Sequence, residues 1–291
     1  MSYNTDIKYK DDIMEKKEIK VIGLDLDGTL LDPDKKISEF TFDTLKEASE
    51  RGIEIVPSTG RYFSAMPACI REMPFVHYSI NINGASVADV RTGEKLYTAE
   101  IPLSEALDIM RYLDTKPALY DCYMNDHGWI TGSFKDRVES FVQDPHYIDM
   151  VRNLRDSVPE LKAFITEKGR DIQKIQFFTY DHDFQQETLH HGAELFPDII
   201  CTSSVRDENV EFNNIHANKG DALCGLAVKL GYTRENTMAF GDGDNDIPMI
   251  KAAAVGVAMS NSCEDALKAA DFIALSNAED GVAKFIREYC F

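Results

Sequence analysis

Apolar residues along this chain fall into two textures, and the change between them marks its organisation. In the first third, short apolar runs alternate with amphipathic stretches. Ile19 to Leu26 is a nearly continuous apolar run ending in acid and glycine, the pattern of a buried strand entering a loop. Ser38 can cap a helix reaching about Glu50, with Phe42, Leu45 and Ala48 on one face and Gly52 closing it. Ile53 to Pro57 reads as a second strand, Tyr62 to Glu72 as a helix, and His77 to Ile82 as a third strand stopped by Asn83-Gly84. Strands separated by helices imply right-handed crossovers and a parallel sheet.

The last third resumes that rhythm. Helices are expected at Lys219 to Leu230, Ile247 to Ala253, Glu264 to Ala270 and Val282 to Glu288. Between them lie strands at Thr237 to Phe240, Val255 to Met259 and Phe272 to Leu275. Over 86–213 the strand candidates crowd together: Leu119 to Met124, Trp129 to Thr131, Ile172 to Tyr180, Ile199 to Ser204 and Asn209 to Phe212. Helical stretches near Leu103 to Asp114, Phe134 to Val142 and Phe184 to Leu195 interleave them. The pattern is an α+β unit inserted into an α/β domain occupying 19–85 and 214–291, with a polar leader at 1–18 expected to be disordered.

Composition narrows the function. The 291 residues are 44% hydrophobic, enough for packed cores, and no apolar stretch has the length of a membrane helix. The N-terminus lacks the apolar segment of a secretory signal. A formal charge of −19 argues against nucleic acid or an anionic membrane surface as partner. The six scattered cysteines, with no Cys-x-x-Cys, fit reduced thiols in a cytoplasmic protein.

Candidate chemistry sits where strands end. Asp25 and Asp27 close the first strand two residues apart, so in extended backbone both carboxylates face one crevice. Gly28 permits a sharp turn, and the Thr29 hydroxyl can hold it. Alone, this turn is equally compatible with a structural or calcium-binding loop. The second cluster, Gly241-Asp242-Gly243-Asp244-Asn245-Asp246, also follows an apolar strand. As an EF-hand loop it fails, because the sixth position is Ile247 rather than glycine and the twelfth is Ala253 rather than glutamate. Thr59 ends the second strand before Gly60-Arg61, where a hydroxyl and backbone N–H groups could seat an anion or simply cap a helix. Lys219 opens a helix after a polar run and is a surface lysine unless the fold brings it to the crevice.

The four elements in this order are a specific combination. Leu24-Asp25-Leu26-Asp27-Gly28-Thr29-Leu30-Leu31, Ser58-Thr59-Gly60-Arg61, Asn83-Gly84-Ala85, Lys219-Gly220 and Gly241-Asp242-Gly243-Asp244-Asn245-Asp246-Ile247-Pro248-Met249 resemble the signatures of the haloacid dehalogenase-like superfamily. Within it they look like the Cof-like phosphatases with a large inserted cap. The approach to Lys219 departs from the pattern, with Asn213-Asn214-Ile215-His216 in place of Pro and Gly.

The resemblance implies a Rossmann-like, doubly wound parallel-sheet core with an α+β cap at 86–213, hinged at Asn83 to Ser86 and Asn213 to His216 and acting as a lid. It implies a Mg²⁺-dependent phosphatase of small phosphorylated metabolites, sugar phosphates first. Asp25 would form an aspartyl-phosphate, and Asp27 would act as acid and then base. Asp25, the backbone carbonyl of Asp27, Asp242 and Asp246 would hold the metal. Thr59, Lys219, Asn245 and the backbone N–H groups at Leu26 and Gly60, beside Arg61, would hold the phosphoryl group. Asp25, Asp27, Asp242, Asp244 and Asp246 would converge, an arrangement needing a divalent ion and a lysine.

Two alternatives stand beside this reading: a phosphomutase on the same fold, and a non-catalytic regulatory binding protein. The expected state is a monomer or small homo-oligomer. Tyr120, Tyr123 and Trp129 could fill the cap core or stack on a substrate ring. His190-His191 reads as a solvated face.

Overall fold

The structure is a computed structural model that describes residues 8–9, 16–203 and 209–291. Most of the leader and Ser204 therefore lie outside the described residues. Where the leader is described it is engaged: Lys8–Tyr9 pairs antiparallel with Phe272 and Ile273, and the Lys17 ammonium donates to Glu235 at 2.6 Å.

The chain divides into two compact units. The first comprises the described residues up to Gly60, Met66–Thr98 and Asn218–Phe291. Its main sheet has the order Lys8–Tyr9, Phe272–Ala274, Val255–Met259, Thr237–Gly241, Val21–Leu24, Glu54–Pro57, parallel throughout except at Lys8–Tyr9. The residues of Val21–Leu24, Thr237–Gly241 and Val255–Met259 are buried on both faces, which explains why their sequences read as unbroken apolar runs. On one face, Leu223 and Leu226 of the helix Lys219–Lys229 pack with Val21, Val56 and Ala239. On the other, Phe285 of the helix Gly281–Cys290 meets Phe240 edge-on, with ring centroids 5.5 Å apart. The sheet is thus doubly wound. The strand order reverses between Val21–Leu24 and Thr237–Gly241, and open α/β sheets bind ligands beyond the carboxyl ends of such a pair.

Three details differ from the sequence-based expectation. The helix expected from Tyr62 to Glu72 is broken: a 3₁₀ turn at Phe63–Ala65 precedes a one-turn helix at Ala68–Arg71, with Pro67 between them. Residues 86–98, placed in the insertion with no strand expected there, form two strands, Ser86–Asp89 and Lys95–Thr98; Ser86–Asp89 pairs with both Tyr78–Asn81 and Lys95–Thr98, and the segment stays with the first unit. Between Tyr78–Asn81 and Ser86–Asp89 the chain makes a left-handed turn, with φ of 53° at Ile82, 55° at Asn83 and 99° at Gly84. Ile82 is fully buried, and a β-branched residue in that region costs about 1–3 kcal/mol and persists only because its surroundings impose it.

The second unit comprises Arg61–Ala65 and Ala99–Ala217. Its six-stranded sheet runs Ile199–Thr202, Asn209–Asn214, Lys174–Thr179, Ala118–Tyr123, Gly128–Thr131, Arg155–Val158, and only the last pair is parallel. One face is apolar: Cys122, Ile175, Phe177 and Phe212 pack with Ile109, Met110 and Leu113 of the helix Leu103–Leu113 and with Ile165. Tyr120 joins this core and donates its hydroxyl to Asp114 at 2.8 Å, while Trp129 tilts over Phe164 at 4.5 Å. His190 and His191 lie exposed on the helix His182–Leu195.

The opposite face carries buried charge. Arg155 donates to Asp121 at 2.9 Å and to the Tyr123 hydroxyl at 2.6 Å, Gln176 donates to Asp121 at 2.9 Å, and Lys174 pairs with Glu211 at 2.9 Å. The edge strand Arg155–Val158 is polar in sequence and was not anticipated; its inward anchor is the guanidinium. Removing one partner of a buried ion pair leaves the other uncompensated, at about 3–5 kcal/mol. Arg155→Leu is therefore expected to destabilise by that amount in urea titrations, and adding Asp121→Leu should recover most of the loss.

Candidate active site

The site forms where Val21–Leu24 and Thr237–Gly241 end side by side. The Asp25 N–H donates to Phe240 O at 3.0 Å, extending the ladder by one rung and setting Asp25 beside the next loop. That loop folds on itself: both oxygens of Asp246 are engaged, Oδ2 accepting from the N–H groups of Asp242 and Gly243 at 3.0 Å each. A Cβ on Gly241 would overlap Asp246, and one on Gly28 would overlap the Asp242 carboxylate. These two glycines are where carboxylates and backbone come closest.

Lys219 is completely buried and bridges the cluster. Its ammonium lies 2.6 Å from Asp25 Oδ1 and 2.7 Å from Asp246 Oδ1. It reaches them from the first turn of the helix Lys219–Lys229, capped by the Asn218 side chain accepting from Asp221 N at 2.8 Å. The surface reading of this lysine is overturned. Burial alone would lower its pKa, but Asp246 and Asp25 outweigh that and raise it, so it stays charged.

Asp25, Asp242 and Asp246 offer ligand oxygens that all lie within 4.8 Å of one another. Burial, then Asp246, pushes Asp25 well above the ordinary carboxylate range, against the pull of Lys219. Burial and Asp246 push Asp242 up to about 6, opposed by a hydrogen bond from the Thr29 hydroxyl at 2.7 Å. One lysine does not neutralise three carboxylates at this spacing, and hard oxygen donors around a partly open position fit a divalent cation.

The remaining candidates distribute as follows. The Asp27 carboxylate is outside that triad and accepts from Lys35 Nζ at 2.7 Å, a partner the sequence reading missed. Asp244, expected to converge with the others, is exposed; its Oδ1 faces Cys263 Sγ at 3.2 Å because the 3₁₀ turn Asp244–Asp246 points only its last residue inward. Thr29 holds Asp242 as well as standing in the turn. Leu26 is buried, and its carbonyl accepts from Leu31 N at 2.9 Å. Thr59 is buried, its N–H bonded to Ile80 O at 2.9 Å, with Gly60 beside the Asn83 side chain. Asn245 donates to Asn83 Oδ1 at 3.2 Å. Arg61 falls in the second unit. Asn261, also unanticipated, donates to Gly28 O at 2.8 Å and so pins the turn after Asp27. Its place directly after the strand Val255–Met259 is the signal that could have found it.

Comparison with known proteins follows the same lines. The profile of the haloacid dehalogenase-like hydrolases matches residues 22–286. The chain is 30% identical to the 5-amino-6-(5-phospho-D-ribitylamino)uracil phosphatase YcsE of Bacillus subtilis, with 94% of this chain and 97% of that protein covered. It is 27% identical to the pyridoxal phosphate phosphatase YbhA of Escherichia coli, covering 92% and 97%. Among solved structures, a haloacid dehalogenase-like hydrolase from B. subtilis superposes with a TM-score of 0.79 at 27% identity, covering 92% of this chain and 99% of that one.

The raised carboxyls set a pH signature. A carboxyl whose folded pKa exceeds its unfolded value stabilises the fold below the unfolded value and loses that contribution as pH rises through the folded one. For Asp242 the window runs from about 4, the unfolded value, to about 6. In EDTA, Asp242→Asn is expected to raise Tm relative to the parent at pH 7.5, with the difference shrinking toward pH 4.5. Adding a divalent cation at pH 7.5 should raise the parent's Tm and leave that of the variant nearly unchanged, both read by differential scanning fluorimetry.

Proposed function

The chain belongs to the haloacid dehalogenase-like hydrolases, and from that premise we propose that it is a Mg²⁺-dependent phosphatase working through an aspartyl-phosphate on Asp25. Phosphoric monoester hydrolysis is the activity its relatives carry in their names. The proposed substrates are small phosphorylated metabolites, sugar phosphates foremost. The observation that carries the reading is the buried Lys219 ammonium shared by Asp25 and Asp246, with Asp242 closing the acidic triad.

Lys219 fixes the position of the Asp25 carboxylate and places a permanent positive charge where a dianionic ester would otherwise be repelled. In the first half-reaction an Asp25 oxygen bonds to phosphorus as the bond to the leaving oxygen breaks, and Asp27 gives that oxygen a proton. In the second, Asp27 takes a proton from water as the water oxygen attacks phosphorus. Inorganic phosphate leaves and the Asp25 carboxylate is regenerated. The proton Asp27 takes from water is the one it gives in the next cycle, and Lys35, donating to Asp27 Oδ1 at 2.7 Å, holds the carboxyl group in place. Thr59, Lys219, Asn245 and the N–H groups at Leu26 and Gly60 are assigned to the phosphoryl oxygens. Asp25, Asp242, Asp246 and the Asp27 carbonyl would hold Mg²⁺, which supplies Lewis-acid neutralisation of the developing charge.

The six free cysteines support work in a reducing, cytoplasmic setting.

Asp25→Asn is expected to lower kcat on an aryl phosphate by at least about a thousandfold, on the scale of removing a catalytic nucleophile, and EDTA should abolish parent activity until Mg²⁺ is restored. Near-parent activity in Asp25→Asn would overturn the nucleophile. Release of inorganic phosphate from sugar phosphates without a bisphosphorylated activator separates hydrolysis from the phosphomutase alternative.

A further inference from the structure

The left-handed turn Ile82–Asn83–Gly84 touches three of the elements that build the site. The Asn83 N–H donates to Thr59 O at 3.0 Å, and its side-chain Oδ1 accepts from Asn245 Nδ2 at 3.2 Å. That same Oδ1 lies 3.0 Å from where a Cβ on Gly60 would stand. Gly84, at φ 99°, packs so closely on the backbone of Asn218 that any side chain there would overlap it, and Asn218 caps the helix that opens with Lys219. All four contacts lie within the first unit.

We propose that Asn83 is a positioning residue for phosphoryl transfer, acting through the Asn245 amide and the Thr59–Gly60 backbone. The proposal rests on the reading above in which Asn245 and Gly60 hold the phosphoryl oxygens. An amide nitrogen carries two hydrogens. With one given to Asn83, the plane and orientation of the Asn245 side chain are fixed, and the second hydrogen is the one a phosphoryl oxygen would take. Asn83 also occupies the space beside Gly60, which keeps that stretch of backbone against Thr59. Asparagine suits the position twice over. It adopts positive φ more readily than other residues with side chains, and its carbonyl oxygen is a neutral acceptor. A carboxylate there would also accept from Asn245, but would add a negative charge beside the seat of an anion.

The test uses Asn83→Gly, which keeps the backbone conformation and removes the acceptor, in a cycle with Asn245→Ala. Both are assayed on an aryl phosphate, with inorganic phosphate as competitive inhibitor. Asn83→Gly is expected to weaken phosphate inhibition and raise KM by about tenfold, the loss of one oriented hydrogen bond to a charged group. The pH profile and Tm should stay near those of the parent. In the Asn245→Ala background the same change should add less than about twofold, because the group it orients is gone. Full additivity of the two changes overturns the proposal, as does an Asn83→Gly defect confined to Tm or an Asn245→Ala variant with parent KM. Failure of the underlying phosphatase reading shows separately, as absence of Asp25-dependent phosphate release in the unmutated protein.

Discussion

The active end of this protein depends on one arrangement: a single buried ammonium set between two carboxylates, with a third in reach. Lys219 cannot be buried without Asp25 and Asp246, and neither acid can lie so close to the other without Lys219. Everything local serves that balance. Glycines 28 and 241 let backbone and carboxylates approach, Thr29 donates to Asp242, two backbone N–H groups donate to Asp246, and Asn218 caps the helix that delivers the lysine. The positive charge compensates only part of the negative, a deficit that a divalent cation would meet.

Much of this was legible in the sequence because buried parallel strands announce themselves. Val21–Leu24 and Val255–Met259 are apolar throughout and Thr237–Gly241 is apolar after its first residue, and Ser38 caps Glu39–Glu50 by accepting from Thr41 N at 3.0 Å as its type and position suggested. The acids that matter were visible because each ends such a strand. Less legible were features whose cause is tertiary. Arg155–Val158 is polar yet forms a strand, because Asp121 and Tyr123 receive its arginine. Ile82 is held left-handed against its own preference by the chain around it. Asp244 looked equivalent to its neighbours by alternation alone, and only the 3₁₀ turn separates it from Asp246. Lys219, ambiguous as one lysine among many, became decisive once the helix start was placed.

The second unit follows a different logic from the first. Its apolar face is an ordinary core, but its other face buries Arg155, Asp121, Lys174 and Glu211 as matched pairs tied together through Tyr123, over which both cations also sit at 4.5 and 4.4 Å. Such a network is poor value as stabilisation compared with hydrocarbon, since desolvation offsets most of the attraction. Beside it on the same face, Leu119, Ile130 and Phe178 join an apolar cluster, so the charged network occupies only part of that face.

The bond between Lys219 and Asp25 also spans 194 residues of sequence. Asp25 follows the strand Val21–Leu24, made early in synthesis, while the lysine and the acidic loop come from the last third of the chain. Until that portion has been made and docked, the strand carrying Asp25 lacks the neighbour to which its own N–H must bond. The central strand of the sheet is thus a late partner for an early one, and the nascent chain must carry an exposed apolar edge for most of its translation.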